Sequence, residues 1–275
     1  MRKYRFLLAR RATQITILSL YIIANTYGIK MLVGNLSSST FMGFLPLSDP
    51  YAVLQMFAAG AAISSSLIIG ALIIAIFYAI VGGRVFCSWV CPINMVTDLA
   101  NYCRRVFGFD QIQKRQPATR NMRYWVLAMS FVISIALGVA AFEFISPISM
   151  VHRGLVFGIG FGWAAVVIIF LFDLLVLKNG WCGHICPLGG FYSLISKFRV
   201  FNVKHDKDKC TECMKCKLVC PEKQVLYMIA KETMPVLSGE CTNCARCIEV
   251  CDDDALGFFL KIDEKKAKET DNENN

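Results

Sequence analysis

The sequence predicts an α-helical membrane protein: four transmembrane helices in a two-helix parallel repeat, followed by a small C-terminal α+β domain built around cysteines. Three observations predict it. The 275 residues are 56% hydrophobic and only 18% charged, with a positive mean hydropathy, which is too apolar for a chain whose only solvent is water. The apolar residues are gathered into long runs. The thirteen cysteines are gathered too: Cys87 with Cys91, Cys182 with Cys186, eight from Cys210 to Cys251, and Cys103 alone, to which no role is assigned. Such bunching points to metal ligation or redox chemistry.

Crossing the hydrocarbon core as a helix takes about 20 apolar residues. Four runs qualify: residues 12–29, a window within 51–83, residues 124–142 and residues 154–177, the last holding one acid, Asp173. Backbone groups in lipid must be satisfied within their own segment, so runs this apolar are expected to be helices; a barrel would need polar alternation. The first run has the basic start of a signal peptide, but no small-x-small site follows and it is long enough to span, so a retained helix is expected.

Lysine and arginine set the orientation. Arg2, Lys3, Arg5, Arg10 and Arg11 precede the first run, and Arg84, Arg104, Arg105, Lys114, Arg115, Arg120 and Arg123 fill the loop after the second. The other two loops hold Lys30 and Arg153. Both termini and the middle loop are therefore expected in the cytoplasm, as in a multi-pass protein of a bacterial inner membrane. The same segregation accounts for the net charge of +9 without a nucleic-acid partner. Trp89, Trp125 and Trp181 fall at cytoplasmic ends of spans, where they serve as interfacial anchors or in helix packing.

Pairing the spans exposes a repeat. The second ends in Phe86-Cys87-Ser88-Trp89-Val90-Cys91-Pro92 and the fourth in Trp181-Cys182-Gly183-His184-Ile185-Cys186-Pro187, so each half is two spans followed by Cys-x-x-x-Cys-Pro. Both motifs follow an even-numbered span and share one side, which makes the repeat parallel. If the motifs are helical, each cysteine pair lies on one helix face, although the proline ring conflicts with a continuing helix. Cys87, Cys91, Cys182 and Cys186 are candidates for a further redox or ligand centre, with plain packing of small soft side chains as the alternative.

After residue 198 the chain becomes hydrophilic and carries Cys210-x-x-Cys213-x-x-Cys216-x-x-x-Cys220-Pro221, then Cys241-x-x-Cys244-x-x-Cys247-x-x-x-Cys251. This doubled spacing is that of bacterial two-cluster ferredoxins, in which the fourth cysteine of each run ligates the other cluster. Cys210, Cys213, Cys216 and Cys251 are thus expected to hold one [4Fe–4S] cluster, and Cys241, Cys244, Cys247 and Cys220 a second. Three thiolates of a tight loop can cap three irons of a cubane, while the fourth has to come from farther along the chain. Pro221 stops a helix from carrying Cys220 away; the second run has Asp252 in that place. Zinc sites more often pair two Cys-x-x-Cys hooks across a gap, a cytoplasmic side disfavours disulfides, and clusters acting only as staples of a small core remain an alternative. The expected domains are a basic N-terminus (1–11), a four-helix membrane domain with both Cys-x-x-x-Cys-Pro motifs (12–197), a cytoplasmic ferredoxin-like domain (198–260) and a disordered polar tail (261–275).

No Cys-x-x-Cys-His, Gly-x-Gly-x-x-Gly or Walker-type loop occurs in the sequence, so c-type haem, nicotinamide and nucleotide chemistry lack a signature. A membrane-embedded carrier then exchanges electrons most economically with quinone. Glu143, His152 and Asp173 are the candidate proton acceptors for quinol, since ionisable groups at membrane depth are functional suspects; a structural role is the alternative for each. His184 is a proton partner, ligand or filler, and His205 is expected in the solvated linker.

The four spans, the two Cys-x-x-x-Cys-Pro motifs and the terminal double cysteine run together resemble the NapH family, as do residues 34–39 (Gly-Asn-Leu-Ser-Ser-Ser) and 46–50 (Pro-Leu-Ser-Asp-Pro). The likeness covers nearly the whole chain, stopping at about Lys261. It implies the membrane subunit of a quinol dehydrogenase that oxidises menaquinol or ubiquinol. It also implies delivery of electrons, with a periplasmic iron–sulfur subunit of NapG type, toward periplasmic nitrate reductase. A cytoplasmic cluster domain then requires a return path across the membrane. The rival reading is a polyferredoxin-type assembly or regulatory factor for a respiratory metalloenzyme, whose relatives tend to carry an added periplasmic domain; a passive anchor is a third.

Overall fold

The computed structural model describes residues 4–28, 32–109, 119–157, 160 and 162–261. Arg2, Lys3, Lys30, Lys114, Arg115, the end of the first expected span, part of the fourth and nearly all of the tail lie outside the described residues. The chain forms two compact units. One comprises the described parts of Met1–Arg10, Phe77–Trp89 and Tyr192–Asn275, the other the described parts of Arg11–Ile76 and Val90–Phe191.

Among the described residues one helix, Arg5–Tyr27, has the length and apolarity to cross a membrane. Three further apolar helices are shorter than the runs that suggested them: Ser65–Val81 with 17 residues, Met122–Leu137 with 16, and Gly162–Leu171 with 10, prolonged by the π-helical turn Phe172–Val176. The causes are local. The second run is split, because Asp49 caps a separate helix, Pro50–Ala58, accepting the Tyr51 N–H at 3.2 Å, with proline in the first helical position where its missing donor costs nothing. That helix gives way at Gly60, whose φ is +73°. The third stops at Gly138, which takes the left-handed cap conformation before a new helix, Ala141–Ile145.

Within the larger unit, strands β1 (Leu32–Gly34), β2 (Ser38–Phe41) and β3 (Leu45–Ser48) form an antiparallel meander. Its first turn is drawn by Asn35, whose side-chain oxygen accepts the N–H groups of Ser37 and Ser38 at 2.9 and 2.8 Å. Helix Pro50–Ala58 presents Tyr51 to Phe131, Phe142 and Phe191, with ring centroids 5.4 to 5.7 Å apart.

In the other unit, β4 (Phe201–His205) pairs antiparallel with both β5 (Met234–Pro235) and β6 (Leu256–Leu260). Val203 and Leu256 of this sheet pack with Val225, Leu226, Met228, Ile229 and Val236, and Cys216 and Cys247 join the same core. The first turn of Arg5–Tyr27 is tied here: the Glu249 carboxylate accepts the N–H groups of Phe6 and Leu7 at 2.5 and 3.0 Å, satisfying donors that a helix start leaves orphaned. Gly82 and Gly83 end helix Ser65–Val81 by different means. Gly82 has φ +119°, and a Cβ on Gly83 would lie 2.0 Å from the Tyr192 carbonyl oxygen, so no side chain fits.

Candidate metal centre

The two cysteine runs fold alike. Each begins with a turn in which the residues flanking the middle cysteine are left-handed: Glu212 and Met214 around Cys213, Asn243 and Ala245 around Cys244, with φ between 47° and 60°. None is glycine, so each such residue costs about 1–2 kcal/mol; strain repeated at equivalent positions is a mark of a built site. A short helix follows in each run, Lys215–Val219 and Arg246–Glu249, carrying Cys216 and Cys247.

The fourth cysteines are delivered by different means. Cys220 is extended, with ψ 125°, because Pro221 excludes the helical region for the residue before it. Cys251 has no proline after it. There, Asp253 accepts from the Thr211 hydroxyl at 2.5 Å and Asp252 pairs with Lys215 at 2.6 Å. Two carboxylates thus fasten the Cys251 loop to the first run, where the other loop has a ring.

Two hollows result. One, with about 300 Å³ of empty space, is lined by Cys210, Cys213, Cys216 and Cys251, together with His205 and Asp253. The other, of about 370 Å³, is lined by Cys241, Cys244, Cys247 and Cys220, together with Glu222 and Arg246. Each therefore gathers three cysteines of one run and the last of the other. Among the described residues no three His, Cys, Asp or Glu side chains close on a single ion; the thiols ring open space. Burial pushes the Cys247 thiol well above the usual range and raises Cys216 and Cys241 as well, Arg199 and Arg84 pulling against it at Cys241. A metal group bound by these cysteines as thiolates has to displace their protons. The donor set fits a polynuclear, sulfur-bound group.

His205, expected in a solvated linker, is fully buried on β4. Its Nδ1 lies 2.8 Å from the Glu232 carbonyl and so carries the proton, while Nε2 has no hydrogen-bond partner among the described residues. Arg84, Ser88 and Arg199, never singled out as site residues, bind the Cys241–Cys244 turn together with Trp89, whose indole N–H donates to the Asn243 carbonyl at 3.2 Å. Tethered to that turn, Trp89 has a partner an interfacial anchor does not require.

The cysteines of the two Cys-x-x-x-Cys-Pro motifs depart from the helical-pair expectation. Cys87 lies within helix Val85–Trp89 but Cys91 lies beyond its end, and Cys182 lies in the π-helical turn Trp181–Ile185 whose extended cap is Cys186. Cys91 and Cys186 each precede a proline, which drives them out of the helical region. Cys182 Sγ is 3.9 Å from Thr97 Oγ1 and the Cys91 carbonyl accepts from Gln14 at 3.1 Å. His184 is buried, its Nδ1 3.4 Å from the Asn179 carbonyl.

The candidate proton acceptors are placed as follows. Glu143 accepts from the hydroxyls of Ser37 and Ser149 at 2.8 and 2.7 Å. His152 is buried against the Tyr21 ring at 4.9 Å, and among the described residues neither ring nitrogen has a hydrogen-bond partner. Asp173 accepts the Trp181 N–H at 3.0 Å, while Arg104 donates to the carbonyls of Asp173 and Leu174. This Asp173 carboxylate bridges two consecutive π-helical turns, a fold-holding task.

A family model described as a 4Fe–4S binding domain matches twice, at residues 65–110 and 157–204, and a model described as a 4Fe–4S dicluster domain matches residues 202–252. The double match falls on the two halves of the expected repeat. A relative named ferredoxin-type protein NapH, from Escherichia coli (strain K12), is 42% identical over 82% of this chain and 78% of its own length. Another of that name, from Haemophilus influenzae, is 40% identical over 94% and 91%. The methylamine utilization ferredoxin-type protein MauN of Methylorubrum extorquens is 40% identical over 87% and 84%. No solved structure matches.

Proposed function

Because this chain belongs to the family of ferredoxin-type NapH and MauN proteins, electron-transfer proteins with 4Fe–4S domains, we propose that it is the membrane subunit of a quinol dehydrogenase. It passes electrons from menaquinol or ubiquinol through two [4Fe–4S] clusters toward periplasmic nitrate reductase, with a periplasmic iron–sulfur subunit of NapG type. The observation that carries this is the crossed gathering of cysteines, three of one run with the last of the other around each hollow, the arrangement two-cluster ferredoxins use. Cys210, Cys213, Cys216 and Cys251 hold one cluster; Cys241, Cys244, Cys247 and Cys220 hold the other. Bound there, each supplies a one-electron carrier.

Four spans, both termini and the cluster domain in the cytoplasm complete the proposal. The loop charges support the orientation, and outward-facing apolar side chains such as Ile68, Leu72, Ile76, Val132, Ile135 and Ile168 support a lipid-facing surface. Glu143 and His152 take up quinol protons, with Asp173 as a third group. A terminal acceptor in methylamine utilisation is a second reading, favoured by MauN relatives as similar as the NapH ones.

The experiment is to mix anaerobically purified protein with a menaquinol analogue and follow visible absorption. Bleaching of the cluster bands is expected. Bands that stay unchanged, with and without the periplasmic partner, would move the assignment to assembly or regulation.

A further inference from the structure

The turn that opens the second cysteine run is held at four successive carbonyls, from Glu240 to Asn243. Arg84 donates to Glu240 at 2.8 Å, Arg199 to Cys241 at 3.4 Å, Ser88 to Thr242 at 2.8 Å and Trp89 to Asn243 at 3.2 Å. Arg84 is also paired with buried Glu222 at 2.7 Å, and Gln224 joins Glu222 to Glu240. Three of these four donors lie in residues 84–89, on either side of Cys87. The equivalent turn of the first run has a different surround: Thr211 donates its N–H and its hydroxyl to Asp253, and nearby Lys215 pairs with Asp252, all at exposed positions.

We propose that Arg84, Ser88, Trp89 and Arg199 are positioning residues that raise the reduction potential of the cluster held by Cys220, Cys241, Cys244 and Cys247, and that fasten this cluster, not its neighbour, to the segment carrying Cys87. The proposal rests on the assignment of clusters to both hollows. Reduction adds a negative charge. Carbonyls held by these donors are not free to swing their negative ends toward the sulfurs, which leaves the peptide N–H groups to stabilise the added charge. Arg199 strengthens the effect, because it is buried and, among the described residues, its hydrogen bonds go to neutral acceptors, Asn202, Ser196, Cys241 and Val236, leaving a full positive charge beside Cys241. Burial alone acts the other way, since a low-dielectric surround penalises the extra charge; the guanidinium opposes it. The first hollow is lined by the Asp253 carboxylate, and there the Lys215 ammonium is paired with Asp252.

The test is an anaerobic redox titration of the full-length protein in detergent, followed by EPR, with iron and sulfide measured on each sample. Arg199→Gln is expected to lower one midpoint and leave the other, and Arg199→Lys to restore it. Ser88→Ala and Trp89→Phe, which remove single bonds without emptying the core, are expected to lower the same midpoint by smaller shifts at unchanged iron content. The affected midpoint must be the one that disappears in Cys244→Ser. The proposal is overturned if both midpoints move together, if the midpoint lost in Cys213→Ser is the one that moves, or if the Ser88 and Trp89 variants keep wild-type potentials at full iron content. Wild-type protein without iron and sulfide would instead sink the cluster assignment beneath it.

Discussion

The two cysteine runs share a spacing and a backbone, down to left-handed residues at matching positions, yet they are secured by opposite means. The first is closed at the surface by carboxylates, Asp253 on Thr211 and Asp252 on Lys215. The second is closed in the interior by Arg84, Ser88, Trp89 and Arg199, from parts of the chain outside the run. Ligand spacing decides which metal group a loop can hold; what grips the back of the loop decides how that group behaves. A symmetric sequence motif has therefore been given asymmetric surroundings.

Exchanging single cysteines breaks the comparison most severely. Cys220→Ala and Cys251→Ala are each expected to remove about half of the iron and acid-labile sulfide. The EPR signal that survives Cys220→Ala should be the one abolished by Cys213→Ser; survival of the other signal would mean each run binds its own cluster. Next comes the buried ion pair. Glu222→Ala strips the carboxylate from Arg84, where both side chains are 3% exposed or less, and is expected to cost about 3–5 kcal/mol in urea unfolding. Lys215→Ala, at the exposed pair of the first run, should leave the unfolding midpoint unchanged, and a drop there equal to that of Glu222→Ala would erase the distinction drawn between the runs.

Glycines sharpen the comparison at a smaller scale. A Cβ on Gly239, just before the second run, would lie 2.2 Å from the Ser193 carbonyl oxygen, whereas one on Gly257 in β6 meets nothing within 4 Å. Gly239→Ala is expected to cost about 1–3 kcal/mol and Gly257→Ala to unfold like wild type in the same assay. The smallest effect is expected of Asp253→Asn, about 1 kcal/mol or less, because its bonds to Thr211 are exposed.

The doubled cysteine spacing is legible because it is a linear property of the chain. The left-handed turns were not, since Glu212, Met214, Asn243 and Ala245 carry no glycine to announce them. Arg84 entered only as one of many loop charges that set orientation, and Arg199 did not stand out; a charge that binds a carbonyl far away in sequence looks the same as one left in solvent. His205 was misplaced for a related reason: polar neighbours suggested a linker, but its β4 partners bury it. The proline after Cys91 and Cys186 was noticed for its clash with the turn behind it, although the restriction it places on the preceding residue is what moves those cysteines off the helix. Apolar runs were longer than the helices they became, because hydropathy does not register a capping Asp49 or a left-handed Gly138.

The grip of Glu249 on the amide groups of Phe6 and Leu7 bears on the order in which the molecule matures. The opening turn of the first helix emerges from the ribosome some 240 positions ahead of the carboxylate that finishes it. Until the last cysteine run has been translated and folded, those two amide groups lack this acceptor, so a chain cut before Glu249 loses the tie at its beginning as well as its end.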